Sequence, residues 1–375
     1  MIERGFNMTT IRIPGKLYLA GEYAVTHPGQ PAVIIAVDRF LELTVSEATT
    51  SNGSFYSEGY TNMPLLIGRK NDRPELPSPF ELIQQTLQLI ERYIQELGKV
   101  IRPYDLDLRT DLELHGQKIG LGSSGAVTVA LVHGLLEWHH LPTSPLLVYK
   151  LAALAHLALG SHGSLGDLAA CSFTGCIRYR SPNRQAIRNL YENTSSLLAT
   201  IRTPWPELSI ERLPFPANCH LLVGWTKQPA ATEQLISQPK PLTDQQLSQF
   251  LATSRGCVDQ LVQGITEQNH SAMADAFTNN RALLQLFAKQ RQMTIETPML
   301  KTLCDCAEQF GAAGKTSGAG GGDCGIALVH DRTMANQITQ CWQQAGITPL
   351  NLAIYTRKDD SSCQNKPTEK TNMSP

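Results

Sequence analysis

Apolar residues recur along this chain in two rhythms, and the places where one gives way to the other predict its elements. From Thr10 the pattern alternates, breaks at Pro14-Gly15 and resumes at Leu17-Tyr18-Leu19 before Gly21. A period of two is that of a strand, so the segment predicts two short strands about a turn. Residues 32–37 and 41–45 predict two more. Residues 49–77 are rich in Ser, Asn, Gly and Pro and predict loop with room for a hairpin. A helical rhythm then takes over, with Phe80, Ile83, Leu87, Ile90, Ile94 and Leu97 on one face. Ser78 is placed to cap this helix, Pro79 to take its first position, Glu81 to close a capping box and Gly98 to end it. Leu106, Leu108, Leu112 and Leu114 alternate with polar residues and predict a half-exposed strand or hairpin running into residues 116–138. A second helix is expected over 144–159.

The second half has its own alternation. A strand is expected over 218–225. Thr243 and Gln246 form a capping box ahead of Leu247, Phe250, Leu251, Val258, Leu261 and Ile265 on one helical face. Helices follow near 270–290 and 298–310. A glycine-rich stretch, 316–322, leads to a strand at 324–329, a helix near 333–345 and a strand at 350–355. Residues 1–9 and the polar run from 358 on predict flexible tails.

Composition narrows the class. The 375 residues are 42% hydrophobic and 17% charged, with a formal net charge of −1. Length suggests two domains, and the charge balance predicts neither a nucleic-acid nor a membrane partner. The nine cysteines are odd in number and irregularly spaced, with no CxxC, which favours reduced thiols over a disulfide framework or a zinc site. His139-His140 have no acid or cysteine at ligand spacing and read as surface or structural. The segment MIERGFNMTT has no apolar signal core. The longest apolar run, near 146–159, is interrupted by Lys150 and His156 and reads as a buried helix.

Candidate chemistry concentrates at GQKIGLGSSGAVTVALVHGLLEW, residues 116–138. Gly120, Gly122 and Gly125, with Ser123 and Ser124, run straight into an apolar helix. Free N–H groups at the positive end of a helix favour a phosphate. Gly120-x-Gly122-x-x-Gly125 matches the dinucleotide fingerprint literally, but no strand with a terminal acid follows the helix. No Gly-Lys-Ser/Thr ends the run, so a Walker A loop fails as well. A purely structural glycine turn stays open. Elsewhere, Lys16 is either a cation facing a site or a solvated lysine at a strand edge. Asp167 is a reactive acid or an ordinary helix-start carboxylate.

Three segments together resemble the motifs of the GHMP kinases: PGKLYLAGEYAV at 14–25, KIGLGSSGAVTVA at 118–130 and KTSGAGGGDCGIAL at 315–328. They stand in the family's order and spread the resemblance over nearly the whole chain. GSLGDLAA (163–170), WPELSIERLPFP (205–216) and VGWTKQPAAT (223–232) resemble the phosphomevalonate kinase subfamily. The resemblance implies a two-domain α+β fold with the active site in the cleft. The first domain, 10–216, would be α/β like ribosomal protein S5, and the second, 217–357, ferredoxin-like.

It also implies roles. Lys16 and Asp167 would be the catalytic pair. Gly120, Leu121, Gly122, Ser123, Ser124 and Gly125 would hold ATP. Tyr18, Glu22, Tyr23, Ser164, Gly166, Lys227, Ser317, Gly318 and Ala319 would line the acceptor site, although Lys227 also reads as a solvated lysine, and His162 as a substrate contact or a surface histidine. One departure stands out. Mevalonate kinases carry a metal-binding Glu 11 residues before the catalytic Asp, and here that position is His156, a poor ligand for a hard cation. Mg²⁺ is therefore expected on the ATP phosphates, water and a loop serine, Ser124 first and Ser123 second.

The activity implied is transfer of the γ-phosphoryl group of ATP to (R)-5-phosphomevalonate in isoprenoid synthesis, in the cytoplasm, by a monomer or homodimer. A phosphate monoester is mostly a dianion at pH 7, so Asp167 is expected to orient Lys16 or the substrate rather than to remove a proton. Two alternatives remain: a mevalonate kinase, and a non-catalytic relative that binds a metabolite as a sensor.

Overall fold

The computed structural model describes residues 8–114, 116–228 and 239–357. The first unit runs β1 (Met8–Ala20), β2 (Pro31–Glu47), β3 (Ser54–Ser57), β4 (Leu65–Leu66), β5 (Gly68–Lys70), β6 (Arg73–Glu75), α1 (Glu81–Glu96), β7 (Tyr104–Thr110), β8 (Glu113–Leu114), β9 (Gln117–Lys118), α2 (Ser123–Trp138), α3 (Pro145–Ala158), α4 (Gly166–Phe173), β10 (Cys176–Arg180), α5 (Arg184–Thr194), α6 (Leu197–Arg202) and β11 (Ser209–Leu213). The second runs β12 (His220–Trp225), α7 (Asp244–Thr266), α8 (His270–Arg291), α9 (Pro298–Gln309), β13 (Ala313–Thr316), β14 (Cys324–Val329), α10 (Arg332–Gln344) and β15 (Thr348–Leu350).

Strand β2 is the spine of the first unit. It pairs antiparallel with β1, and its two halves take β10 and β7. The two predicted pairs of short strands are thus two long ones. The predicted turn at Pro14-Gly15 is a register shift within β1, because both sides of the break stay hydrogen-bonded to β2. Proline lacks the N–H that an unbroken ladder needs, so an irregularity there is the expected compromise. Met8 and Thr9, expected in a tail, pair with Ser46 and Val45. The tail expectation for 1–7 and 358–375 lies outside the described residues.

Helices α1 to α4 cover one face of this sheet. Helix α2 is nearly all buried, packed between β1, β2, α1, α3 and α4, which explains its uninterrupted apolar sequence. Helix α1 starts at Glu81, later than its capping signal, with Phe80 at the cap and no side-chain cap bond. Phe80 is buried edge-on against Phe55, ring centroids 5.2 Å apart. An aromatic pair buried in the core outweighs a cap worth about 1 kcal/mol.

The second unit is a four-stranded antiparallel sheet in the order β13-β14-β12-β15. The Thr243–Gln246 capping box forms as the sequence predicts. The last strand is shorter and earlier than expected, Thr348–Leu350, because the chain then crosses to the first sheet: Ile354 bridges Val37, and Tyr355 N–H donates to the Ala36 carbonyl at 2.9 Å. Helix α7 also reaches across to β2 and β11. One cysteine expectation fails. Cys306 on α9 and Cys341 on α10 form a disulfide with Cα atoms 6.0 Å apart; the packing of the two helices brings together residues that sequence spacing does not relate. Cys171, Cys176, Cys219, Cys257, Cys304 and Cys324 are free and buried. Among the described residues no helix is long and apolar enough to cross a membrane.

Candidate active site

The glycine loop between β9 and α2 meets three separate segments. Gly120 and Gly122 have φ of +81° and +83°, a region open to glycine and strained for other residues. Space is the second constraint. A Cβ on Gly120 would lie 2.5 Å from Asp323 Cβ, on Gly122 2.8 Å from Lys16 Cε, and on Gly125 2.7 Å from Asp167 Oδ2. Each glycine of the loop therefore seats one charged side chain. Lys16 is held further by its Nζ donating to the Gly120 carbonyl at 3.2 Å and its N–H to the Leu121 carbonyl at 2.9 Å. Helix α2 begins at Ser123 with no side chain on its cap, so its first-turn N–H groups have no side-chain cap competing with an anion. Ser123 is half-buried and Ser124 exposed.

Lys16 and Asp167 face one cavity of about 300 Å³, lined also by Tyr18, Glu22, Tyr23, Val25, Thr26, Gly163, Ser164, Gly318 and Ala319. Larger clefts exist, one of about 590 Å³ between α1, α3 and α5, but the convergent polar groups are in the small one. Tyr18 and Ser164 share a hydroxyl–hydroxyl bond of 2.9 Å, and Tyr179 Oη donates to the Ser164 carbonyl at 2.6 Å. Burial, with the Asp167 charge added, raises the Tyr18 hydroxyl well above its ordinary value. It therefore stays protonated as a donor. Gly166 lies beneath it, where a Cβ would come 2.6 Å from Tyr18 Oη.

The second glycine loop, 317–322, forms the opposite wall. Ser317 Oγ accepts from Tyr18 N–H and donates to the Tyr18 carbonyl, both at 3.0 Å. Tyr23 Oη donates to the Ala319 carbonyl at 2.5 Å, and burial beside Glu22 pushes its hydroxyl up to about 12. At the far end of the loop, Asp323 carbonyl accepts from Thr226 N–H and Oγ1 at 2.9 and 3.0 Å. Cys324 Sγ donates to the Ile119 carbonyl at 3.0 Å. The two glycine loops are thereby fastened to each other.

His156 does not stand free as a ligand. Its Nε2 bonds Thr128 Oγ1 at 3.0 Å, and Thr128 Oγ1 bonds the Ser124 carbonyl at 3.2 Å. Burial lowers its pKa, partly countered by Asp167. Among the described residues no three His, Cys, Asp or Glu side chains gather as a metal cluster.

Most of the sequence-selected residues thus converge. Lys16, Tyr18, Glu22, Tyr23, Ser164, Asp167, Gly318 and Ala319 line the cavity; Gly166 and Ser317 support it; and 120–125 border it. Two differ in detail. The Glu22 carboxylate is engaged by Lys315 Nζ at 2.5 Å and Asn280 Nδ2 at 3.0 Å. Lys227 is exposed and is not part of the lining. Residues 229–232, read with it, lie outside the described residues. Thr26, Gly163, Arg184, Asn280 and Lys315 were not singled out. Arg184 donates to the His162 carbonyl at 3.1 Å, to the Gly163 carbonyl and to the Thr26 carbonyl at 2.6 Å, fixing two rims of the cavity. No spacing in the sequence signals that, since its partners are carbonyls. Lys315 and Gly163 each open a quoted motif, at 315–328 and 163–170.

Known families and proteins resemble this chain along most of its length. The description "GHMP kinases N terminal domain" matches residues 81–175, and "GHMP kinases C terminal" matches 261–348. A phosphomevalonate kinase of Streptomyces sp. (strain CL190) is 36% identical over 357 residues, covering 90% of this chain and 95% of the relative. The structure of Streptococcus pneumoniae phosphomevalonate kinase in complex with phosphomevalonate and AMPPNP superposes with a TM-score of 0.82 at 30% identity, covering 92% of this chain and all of that one (100%). A Lin0012 protein from Listeria innocua gives 0.85 at 31%, covering 92% and 98%.

Proposed function

The chain belongs to the GHMP kinases, and from that membership we propose that it transfers the γ-phosphoryl group of ATP to (R)-5-phosphomevalonate, giving (R)-5-diphosphomevalonate. The observation that carries the reading is the seating of Lys16, Asp167 and Asp323 on the three glycines of one anion-binding loop. The 36% identity to a phosphomevalonate kinase over nearly the full length of both chains supports the acceptor. We set the domains at 10–216 and 217–357, with the reaction in the cleft between them.

In this reading the loop and first-turn N–H groups of α2 hold the ATP phosphates. The acceptor's terminal phosphate oxygen attacks the γ-phosphorus, the bond to the β–γ bridging oxygen breaks, and ADP leaves with that electron pair. Because the acceptor is a dianion near pH 7, no proton has to be removed. The obstacle is repulsion between polyanions, which Lys16 offsets from its seat on Gly122. Asp167 orients, and the hydroxyl-bonded pair Tyr18–Ser164 has one proton left to donate from the cavity wall. The donor chemistry fits Mg²⁺: a hydroxyl of Ser124, or of Ser123, suits a cation that otherwise keeps water and phosphate oxygens. When bound, Mg²⁺ would neutralise charge on the transferring phosphates. We take the compartment to be the cytoplasm, in keeping with the free buried thiols; the Cys306–Cys341 bond counts against it.

ADP release measured separately with phosphomevalonate and mevalonate tests the assignment. Turnover confined to mevalonate would make this a mevalonate kinase, and saturable binding without turnover would make it a sensor.

A further inference from the structure

We propose that the buried Glu22–Lys315 pair, with Asn280, is a positioning latch that sets the acceptor wall formed by residues 317–319. Lys315 has no exposed side-chain surface (0%), and Glu22 has 2%. Both carboxylate oxygens of Glu22 and the Lys315 ammonium are bonded. Lys315 Nζ reaches Glu22 Oε1 at 2.5 Å and the Thr316 carbonyl at 2.6 Å, and lies 5.9 Å from the centre of the Phe277 ring. Glu22 Oε2 accepts from Asn280 Nδ2 at 3.0 Å.

The three residues come from three places. Glu22 follows β1, Lys315 is in β13 and Asn280 is in α8. The pair therefore joins the two units directly behind the cavity. Residues on either side of it are cavity lining: Tyr18 and Tyr23 on one strand end, Gly318 and Ala319 on the other. Two further bonds run in parallel, Ser317 to Tyr18 and Tyr23 to Ala319.

Stability alone does not account for such a pair. Removing two charges from water costs more than their attraction reliably returns, and an apolar pair of similar shape usually does as well. What an apolar pair lacks is direction. A carboxylate with both oxygens bonded admits one arrangement of its partners, whereas apolar surfaces slide. The loop needs that direction. A Cβ at Gly318 would have nothing within 4 Å, so packing does not fix the loop at its tip. Its position comes from Lys315 and Ser317 on one side, and from Tyr23 on the Ala319 carbonyl and Gly321 N–H on the Ile295 carbonyl at 2.7 Å on the other. The latch acts at the Ser317 end of this loop, on the acceptor wall, whereas the end fastened to 120–125 has its own ties, Asp323 against Gly120 and Cys324 on the Ile119 carbonyl.

The proposal rests on reading the cavity as the acceptor site, and the test separates the two. In the full chain, the neutral double variant Glu22→Gln/Lys315→Met should keep its melting temperature within a few degrees of the parent, as neutral replacement of a buried pair generally does. Its KM for phosphomevalonate should rise about tenfold or more with KM for ATP within about twofold. Amide exchange at 316–320 should quicken by about tenfold. Asn280→Ala, which leaves both charges in place, should move the acceptor KM and the exchange in the same direction by about threefold. A double variant with parental acceptor KM and parental exchange would sink the proposal. If that variant does not fold, unchanged values in Asn280→Ala sink it equally. If the parent turns over no phosphomevalonate, the functional reading fails, while the exchange of the variants still decides the latch.

Discussion

The two glycine loops look alike in sequence and are held in place by opposite means. In loop 120–125 each glycine is crowded by a side chain from a distant segment, Asp323, Lys16 or Asp167, at 2.5 to 2.8 Å from where a Cβ would be. In loop 317–322, a Cβ at Gly318, with φ of +80°, would meet open space, and Gly320 abuts Ile295, an apolar residue whose carbonyl would be 2.4 Å from a Cβ. The first loop is glycine-rich so that charged groups fit tightly against it. The second is glycine-rich because its backbone has to turn, and its placement comes from neighbours outside it. Glycine content therefore reports a tight turn in both cases and a seat for charged side chains in one.

The largest effect should come from the first loop's cation. Lys16→Met is expected to lower kcat by about 10³, the range seen when a group stabilising transition-state charge is removed; single-turnover rates at saturating substrates would check it, and a loss under tenfold would remove Lys16 from the charge-stabilising role. Next comes a direct contrast between the loops. Gly122→Ala and Gly318→Ala impose the same left-handed strain, about 1–2 kcal/mol each, so their melting temperatures should fall alike. Only Gly122→Ala pushes Lys16 aside, and it should lose about 10² in kcat while Gly318→Ala stays within about threefold. Equal kcat values would mean that crowding around Gly122 is incidental.

Asp167→Asn should cost less, about tenfold in kcat, because the acceptor needs no general base; loss of a true base costs about 10²–10⁴. A measured loss in that upper range would return Asp167 to proton abstraction. The smallest effect concerns stability. Burial lowers His133, on the helix that follows the first loop, to about 4. The unfolded chain, with an ordinary value near 6.5, then binds this proton first, so stability falls as pH drops from about 6.5 toward about 4, by about 2–3 kcal/mol in all. His139 and His156 are shifted in the same direction by burial. Thermal melts from pH 7.5 to 4.5 should show the fall, and His133→Gln should flatten part of it. A slope unchanged by that substitution would place the acid sensitivity elsewhere.

Much of the fold was legible because local rules were enough. The Thr243–Gln246 box, the heptad-like face of α7, the strand at Cys324–Val329 and the buried α2 all follow from periodicity and capping. Legibility failed where tertiary contact overrode a local signal. Phe80 moved the start of α1 by preferring Phe55 to a cap. The register shift at Pro14-Gly15 looked like a turn because the strand beside it was invisible. The Cys306–Cys341 bond depends on how α9 meets α10.

The sequence alone determined which residues are the candidates for chemistry: a glycine loop before a helix, a lysine, an aspartate and a second glycine loop, each written in a short local pattern whose backbone consequences need no partner. Only the tertiary structure decided what those residues do to one another. It put Lys16, Asp167 and Asp323 on successive glycines, turned Glu22 from an open carboxylate into the partner of Lys315, and left Lys227 outside the cavity. The physical reason is range. Capping and periodicity act over a few residues, whereas desolvation, ion pairing and close packing depend on which distant segments share a volume.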